Sequence, residues 1–388
     1  MCPARFALLA MALVMPASVH AAAPPLPAGA RADAIAFADV PGWSADDHAA
    51  AWPVFLASCK SVTASEPALR QGLTPPQALI DRCNEAMALG EAAAGQARNF
   101  FETRFEAWRI SSGEGHAFFT GYYEPEIEGS LTREGRWQVP LYGRPEDLVS
   151  FEPGQSPPGF EAYAAARRRP DGSLEIYPDR KAIEEGALDG KGLERVWLAD
   201  PVDRFFMQVQ GSGRVRLPGG GMVRFSYAGR NGHPYTGIGR VAADRTNTPR
   251  SEMTMARLRA LLTGDRDWAR DVMRENKSFV FFKFAALDPA LGPIGGQGLP
   301  LTPLRSIAVD RTLWPYGLPV FIDTALPDVP GVHRGLVRRL VVAQDTGSAI
   351  LGAARADIFF GSGAAAGASA GAVRHRGTFT VLWPRATP

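Results

Sequence analysis

The sequence predicts a mainly β chain behind an α-helical N-terminal part, and three observations predict it. Up to about residue 108 the apolar positions recur at helical spacing. From Phe118 onward, short β-rich runs alternate with Gly, Pro, Asn and Asp turns, the texture of barrels and not of βαβ units. A single helical stretch, 251–275, interrupts that texture. A chain of 388 residues is long enough for two domains or one elaborate one. Lys and Arg number 42 against 40 acids, a net charge of +2, which is no footprint for nucleic acid. The run Arg167-Arg168-Arg169 is too short to change this and reads as a solvated loop before Pro170-Asp171-Gly172.

The first element is a targeting segment. Arg5 supplies a positive start, and 6–14 is an apolar core too short to span a bilayer. Val19-His20-Ala21 carries small residues where a signal peptidase reads, so 1–21 is the expected signal peptide, with Ala23 a rival cleavage point. The mature chain is then exported and keeps two cysteines, Cys59 and Cys83. A disulfide and a pair of buried thiols both fit them.

Ser44-Ala45-Asp46-Asp47 reads as a capping-box start to a helix burying Trp52, Phe55, Leu56 and Cys59. Thr74-Pro75-Pro76 starts a second, with Thr74 as N-cap and Ile80, Cys83 and Met87 on its apolar face. A third is expected over 91–108. None carries a charged constellation, so the three read as scaffold. In 251–275, Met255, Leu258, Leu261 and Leu262 share a face, and Gly264 breaks it. Strands resume after Asn276 and run to Trp383.

Two acids near the C-terminus carry the chemical signal. An apolar strand, 340–343, delivers Asp345 to a turn at Gly347, and Asp357 precedes Ile358-Phe359-Phe360 and Gly361-Ser362-Gly363. Carboxylates held by strands beside glycines suit acid–base chemistry. Singly, each could equally be an Asx turn. Asp310, in the 305–317 run, is a third acid, structural or groove-lining. Only six His occur, none paired at ligand spacing, so no metal is expected, and no cofactor. Val209-Gln210-Gly211-Ser212-Gly213 has the texture of a phosphate loop, but no Gly-Lys-Ser/Thr follows it.

Five segments in order give the chain a family look: 119–125 (FTGYYEP), 209–213 (VQGSG), 225–235 (FSYAGRNGHPY), 278–283 (SFVFFK) and the region around Asp345 and Asp357. Together they resemble the membrane-bound lytic murein transglycosylase A family, over roughly residue 35 to the C-terminus. Tyr177-Pro178-Asp179-Arg180 resembles a further stretch of it, followed by a helix-like 181–188 in which Arg180 and Glu184 pair. The resemblance implies a double-psi β-barrel made of 32–126 and 275–388. It also implies a smaller β-barrel inserted over 127–274, and a groove between the two for the glycan.

It implies a lyase acting on the β-1,4 bond between N-acetylmuramic acid and N-acetylglucosamine of peptidoglycan, with the muramic C6 hydroxyl as nucleophile. One carboxyl suffices, neutral at first and hence raised in pKa. Asp357 matches the catalytic acid, desolvated by Ala356, Ile358, Phe359 and Phe360, and Asp345 matches a supporting acid. Thr120 would bond the catalytic carboxyl or the sugar. Gln210, Gly211, Ser212, Tyr122, Tyr227, Asn231, His233 and Tyr235 would meet the glycan, at most half of the tyrosines directly.

An inverting hydrolase, with Asp345 or Asp310 as base, and a non-catalytic wall-binding protein are the alternatives. Many relatives in the family are lipoproteins with a Cys after the apolar core. None stands there in this chain, and Cys2 precedes the core. A soluble monomer of the periplasm of a Gram-negative bacterium is therefore expected over an outer-membrane-anchored one, with wall-remodelling proteins as possible partners.

Overall fold

The computed structural model describes residues 23–64, 67–113, 115–326 and 335–386. The expected signal peptide, with Cys2, lies outside them.

The helical lead-in consists of α1 (His48–Ala64), α2 (Gln77–Leu89) and α3 (Ala94–Arg104). Their apolar faces close around Trp52, Phe55, Phe100, Phe101 and Phe105, whose rings meet edge-on or tilted, such as 5.2 Å for Phe55–Phe101, and Trp43 packs on Phe321 beside them. Cys59 and Cys83 form a disulfide between α1 and α2, Cα–Cα 4.8 Å. Replacing both by Ala should lower unfolding stability by about 3 kcal/mol, from the entropy of the released loop. Urea unfolding of the two forms checks it; a loss under 1 kcal/mol contradicts it.

Both expected helix starts differ in detail. Asp47 caps α1, accepting from the Ala50 N–H at 3.1 Å. Asp46 instead forms a buried ion pair with Arg305 and accepts from the Leu340 N–H, both at 2.8–2.9 Å, which ties the lead-in to the barrel. Pro76, not Thr74, occupies the N-cap of α2. The third helix stops at Arg104, because Phe105-Glu106-Ala107-Trp108-Arg109-Ile110 has period two. Phe105 and Ala107 face the helical core, while Trp108 and Ile110 face the barrel interior. This segment is β2 (Phe105–Ser111), paired on one side with β1 (Arg31–Ile35).

The barrel uses β3 (Ala117–Glu124) and, much later, β13 (Ser306–Val309), β14 (Pro319–Leu326), β15 (Gly335–Asp345), β16 (Arg355–Ser362) and β17 (Arg374–Pro384). Six strands close in the order β17-β14-β15-β13-β16-β3, with β3 returning to β17. Two pairings, β13–β15 and β16–β3, are parallel and the rest antiparallel, giving the double-psi β-barrel. The wall alternates in the same way as β2. Val320 and Ile322 point inward, and Phe321 points to the helices.

Between β3 and β13 the chain builds a second, smaller barrel. Its strands are β4 (Glu126–Ser130), β5 (Val139–Tyr142), β9 (Glu194–Leu198), β10 (Ser212–Arg216), β11 (Met222–Arg230) and β12 (Val280–Phe284), in the order β12-β11-β10-β4-β9-β5. A bridge from Gly143 to Phe282 joins its two edges. β12 lies beyond the expected border at 274 and pairs with β11. A small sheet of β6 (Leu148–Ser150), β7 (Ala165–Arg168) and β8 (Leu174–Glu175) flanks it.

The expected helical stretch is present as α7 (Met255–Gly264) and α8 (Arg266–Arg274), after a short turn α4 (Arg180–Ala182), α5 (Pro201–Gln210) and α6 (Ile238–Arg245). The sequence reading missed α5. It starts as Asp200-Pro201, where the Asp200 carboxylate accepts from the Val202 N–H at 2.8 Å. It ends at Gly211, left-handed with φ +81°. It also missed α9 (Gly363–Ala372), whose small residues let it lie on β3. A Cβ on Gly121 would stand 2.7 Å from the Ala370 backbone.

Candidate active site

The barrel strands bring four positions into one row. In register, Ala308 of β13 lies opposite Asp345 of β15 on one side and Asp357 of β16 on the other, and Asp357 lies opposite Thr120 of β3. Two strand spacings therefore separate the acids' backbones, roughly 10 Å. A bulge between Ile307 and Ala308 shifts the register that aligns them. The row forms the floor of a cavity of about 340 Å³ between the two barrels. The opposite wall comes from the insert, through Gln208, Gln210, Tyr227, Arg230 and Tyr235.

Asp357 is held from one side. The Thr120 hydroxyl donates to its Oδ1 at 2.6 Å and in turn accepts from Arg355 Nη2 at 2.7 Å. A guanidinium can only donate, so the hydroxyl proton must point at the carboxylate. Oδ2 has no hydrogen-bond partner among the described residues. Burial raises the Asp357 pKa to about 6, against the opposing pull of Arg355 and the Thr120 bond, and the Asp345 charge adds a smaller push upward.

Of the four neighbours expected to desolvate Asp357, only Phe359 lies on its side of the strand, and Phe360 packs against the barrel core. Ala356 and Ile358 point into the barrel core, and Tyr122, Ala308, Ile350 and Phe359 cluster on the cavity side. Alternation along the strand separates the two sets.

Asp345 is engaged on both oxygens. Oδ1 accepts from the Gly296 and Thr346 N–H groups at 2.7 and 2.8 Å, and Oδ2 accepts from the Tyr122 hydroxyl at 2.8 Å. Burial raises its pKa, and these bonds together with Arg70 oppose the rise. The same burial, with the Asp345 charge, pushes the Tyr122 hydroxyl well above its ordinary value. Asp310 is a turn residue. Its carboxylate accepts from the Thr312 N–H and hydroxyl and from the Gly352 N–H, at 3.0, 2.6 and 2.8 Å.

Six of the remaining expected residues line the cavity: Thr120, Tyr122, Gln210, Gly211, Tyr227 and Tyr235. Gln210 accepts from the Tyr123 N–H at 3.0 Å, which leaves its amide NH₂ for the cavity. Gly211 serves as the helix cap, and Gly213 makes room for Met207, where a Cβ would stand 2.8 Å from that side chain.

Three do not line it. Asn231 is fully buried, and its amide spans three backbone groups: Pro178 and Lys277 carbonyls at 3.0 and 2.9 Å and the Phe279 N–H at 2.8 Å. His233 bonds the Tyr177 carbonyl at 2.7 Å and packs edge-on against Tyr163. Ser212 is buried in the sheet opposite Ser226. Asn231 and His233 thus tie the insert together, because buried polar atoms must find partners.

Sequence reasoning missed Arg355, Arg70 and Gln208. It read Arg180 only as a helix pair with Glu184. Arg180 is fully buried between the Phe205 and Phe279 rings at 4.7 and 5.2 Å. It donates to the Asn276 and Ser278 carbonyls and to Gln208 Oε1 at 2.8, 2.6 and 2.7 Å, fixing the insert wall, and burial lowers its pKa to about 9. Among the described residues no group of three or more His, Cys, Asp and Glu could hold a metal ion.

Thr120→Val should move the high-pH limb of the pH–kcat/KM profile. The Thr120 bond favours the ionised carboxylate, so its loss raises the Asp357 pKa and shifts the descending limb to higher pH. The optimum rate should fall about tenfold from the lost hydrogen bond. An unmoved limb contradicts the assignment.

The family models for the MltA specific insert domain and the 3D domain match residues 118–283 and 305–383. Membrane-bound lytic murein transglycosylase A of Escherichia coli K12 is 34% identical over 295 residues, 75% of this chain and 72% of that protein. The crystal structure of a membrane-bound lytic murein transglycosylase from Agrobacterium tumefaciens superposes with a TM-score of 0.82 at 37% identity, covering 91% of this chain and 97% of that one. E. coli MltA with bound chitohexaose superposes at 0.62 and 29% identity, covering 86% and 90%. The chain belongs to the membrane-bound lytic murein transglycosylase A family.

Proposed function

We propose that Asp357 is the single acid and base of a peptidoglycan lytic transglycosylase reaction in the groove between the barrels. The observation that carries this is the contrast between the two carboxyls of the row. Asp357 has its pKa raised to about 6 and one oxygen open to the cavity. Asp345 has both oxygens committed to protein donors.

The protonated Asp357 gives its proton to the glycosidic oxygen as the bond from muramic C1 to that oxygen breaks. N-acetylglucosamine leaves with its 4-hydroxyl. The muramic O6 bonds C1 and closes the 1,6-anhydro ring, and the Asp357 carboxylate takes the O6 proton. Protons balance, no water is consumed, and the acid is restored. Arg355 acts through Thr120 to hold the carboxyl, and Asp345 acts through its charge and through Tyr122. Gln210, Tyr227 and Tyr235 offer an amide and flat ring faces to the sugars.

The inverting-hydrolase alternative needs a second carboxylate to activate water. The commitments of Asp345 and Asp310 to protein donors weigh against it. Chitohexaose bound by E. coli MltA supports a β-1,4-linked glycan as the ligand class. On this reading the protein works in the periplasm, and the border between its two units falls after β12. Digestion of purified sacculi followed by mass spectrometry tests the reaction. Soluble muropeptides with anhydro ends are expected, and muropeptides with reducing muramic ends would overturn it.

A further inference from the structure

Beside the catalytic cavity lies a second one, of about 560 Å³. Arg70, Arg144, Arg195, Arg230, Lys283 and Arg311 line it, against the single carboxylate of Glu152. The whole chain balances 42 basic residues with 40 acids, so this excess is a local segregation of charge. Among the described residues, only Arg311 of the six has a carboxylate within ion-pair distance. That is Glu152, at 4.0 Å and 41% exposed.

Neutral groups fix three of the others. Arg70 Nη1 donates to the Thr346 carbonyl at 2.8 Å and its guanidinium lies 5.0 Å over the Tyr227 ring. Arg230 donates to the Ser348 hydroxyl at 2.6 Å, and Arg144 to the Leu148 carbonyl at 2.8 Å. Burial lowers the pKa of Arg230 and Arg311, and the Arg70 charge lowers both further. An anion entering the basin would relieve that crowding. Arg70, Tyr227 and Arg230 line both cavities, so the basin opens directly beside the row of acids.

We propose that this basin is a subsite for the acidic stem peptide carried by the muramic sugar at the scissile bond. The inference rests on the murein reading above. The sugars of the strand expose hydroxyls and acetamides, and the muramic lactyl carboxyl is consumed in the amide to the peptide. The strand's carboxylates therefore belong to its peptides. Guanidinium forks held by neutral partners keep their charge free for such carboxylates. The basin selects peptide-bearing muramic residues, and the catalytic cavity handles the sugar.

Lys283 and Arg195 line the basin and not the catalytic cavity. The double variant Lys283→Glu/Arg195→Gln is compared with wild type on two substrates: glycan strands bearing stem peptides, and the same strands stripped by an amidase. Expected is a rise in KM of about tenfold on peptide-bearing strands, with kcat unchanged. Stripping frees one lactyl carboxylate per muramic sugar in place of the several of the peptide, so KM on stripped strands should move several-fold less, and the difference should shrink as salt is raised. Equal changes on both substrates, or none on either, would overturn the subsite while leaving the murein reading standing. So would loss of sedimentation with phosphatidylglycerol vesicles at an unchanged KM ratio, which would assign the basin to a lipid surface. A wild type that cleaves neither substrate would overturn the murein reading itself, and this inference with it.

Discussion

Asp357→Asn should fold, gain stability near neutral pH, and lose cleavage by about 10³- to 10⁴-fold, the upper range for a positioned general acid–base group. The amide oxygen still accepts from Thr120, so the row stays in place. It can neither give a proton to the leaving oxygen nor take one from O6. The stability gain follows from the direction of the pKa shift. A carboxyl raised to about 6 in the fold, from an ordinary 3.8, binds its proton more tightly folded than unfolded. Its contribution is fully present below about pH 4 and is lost as pH rises to about 6. The loss amounts to roughly 3 kcal/mol at about 1.4 kcal/mol per unit. Wild type minus variant isolates this group from Asp345, which is also raised. Urea unfolding at pH 4.5 and pH 7.5 checks it. The variant should be the more stable at pH 7.5 and should approach wild type at the lower pH. A variant less stable at pH 7.5, or one retaining more than about a tenth of the activity, contradicts the assignment.

Glu124→Gln should cost about 3–5 kcal/mol, as loss of one partner of a buried ion pair does. Glu124 is fully buried at the end of β3, where the chain leaves the barrel. Its carboxylate meets Arg214 of β10 at 2.7 Å and Arg224 of β11 at 2.9 Å, and accepts from Ser362 of β16 at 2.7 Å. One group thus joins strands of both barrels, and the groove lies between them. The neutral amide leaves Arg224, itself buried, without a carboxylate. Thermal and urea unfolding measure the loss. A change under 1 kcal/mol would show that this junction does not hold the two barrels together.

Much of the architecture was legible because local signals and the final fold agree. Helical spacing marked α1 and α2, the Gly264 break divided α7 from α8, and turn-punctuated runs marked the barrels. Asp345 and Asp357 stood out because strands lead to both. What stayed hidden depends on register between distant segments. Nothing local in 105–110 says that its two faces serve different cores. Asn231 and His233 look like sugar contacts in a Gly-rich motif. Only the fold shows that the Pro178, Lys277 and Tyr177 carbonyls use them. Arg355 reaches Thr120 across 235 residues of sequence, and the segment carrying Arg70 meets Tyr227 and Thr346 only when the lead-in docks.

The most direct test of a single carboxyl working without water is to digest sacculi in ¹⁸O-enriched water and weigh the new muramic ends. Anhydro ends that carry no ¹⁸O at any extent of digestion are expected. Muramic ends one water heavier, with ¹⁸O incorporated, would contradict that mechanism and require a second residue that activates water.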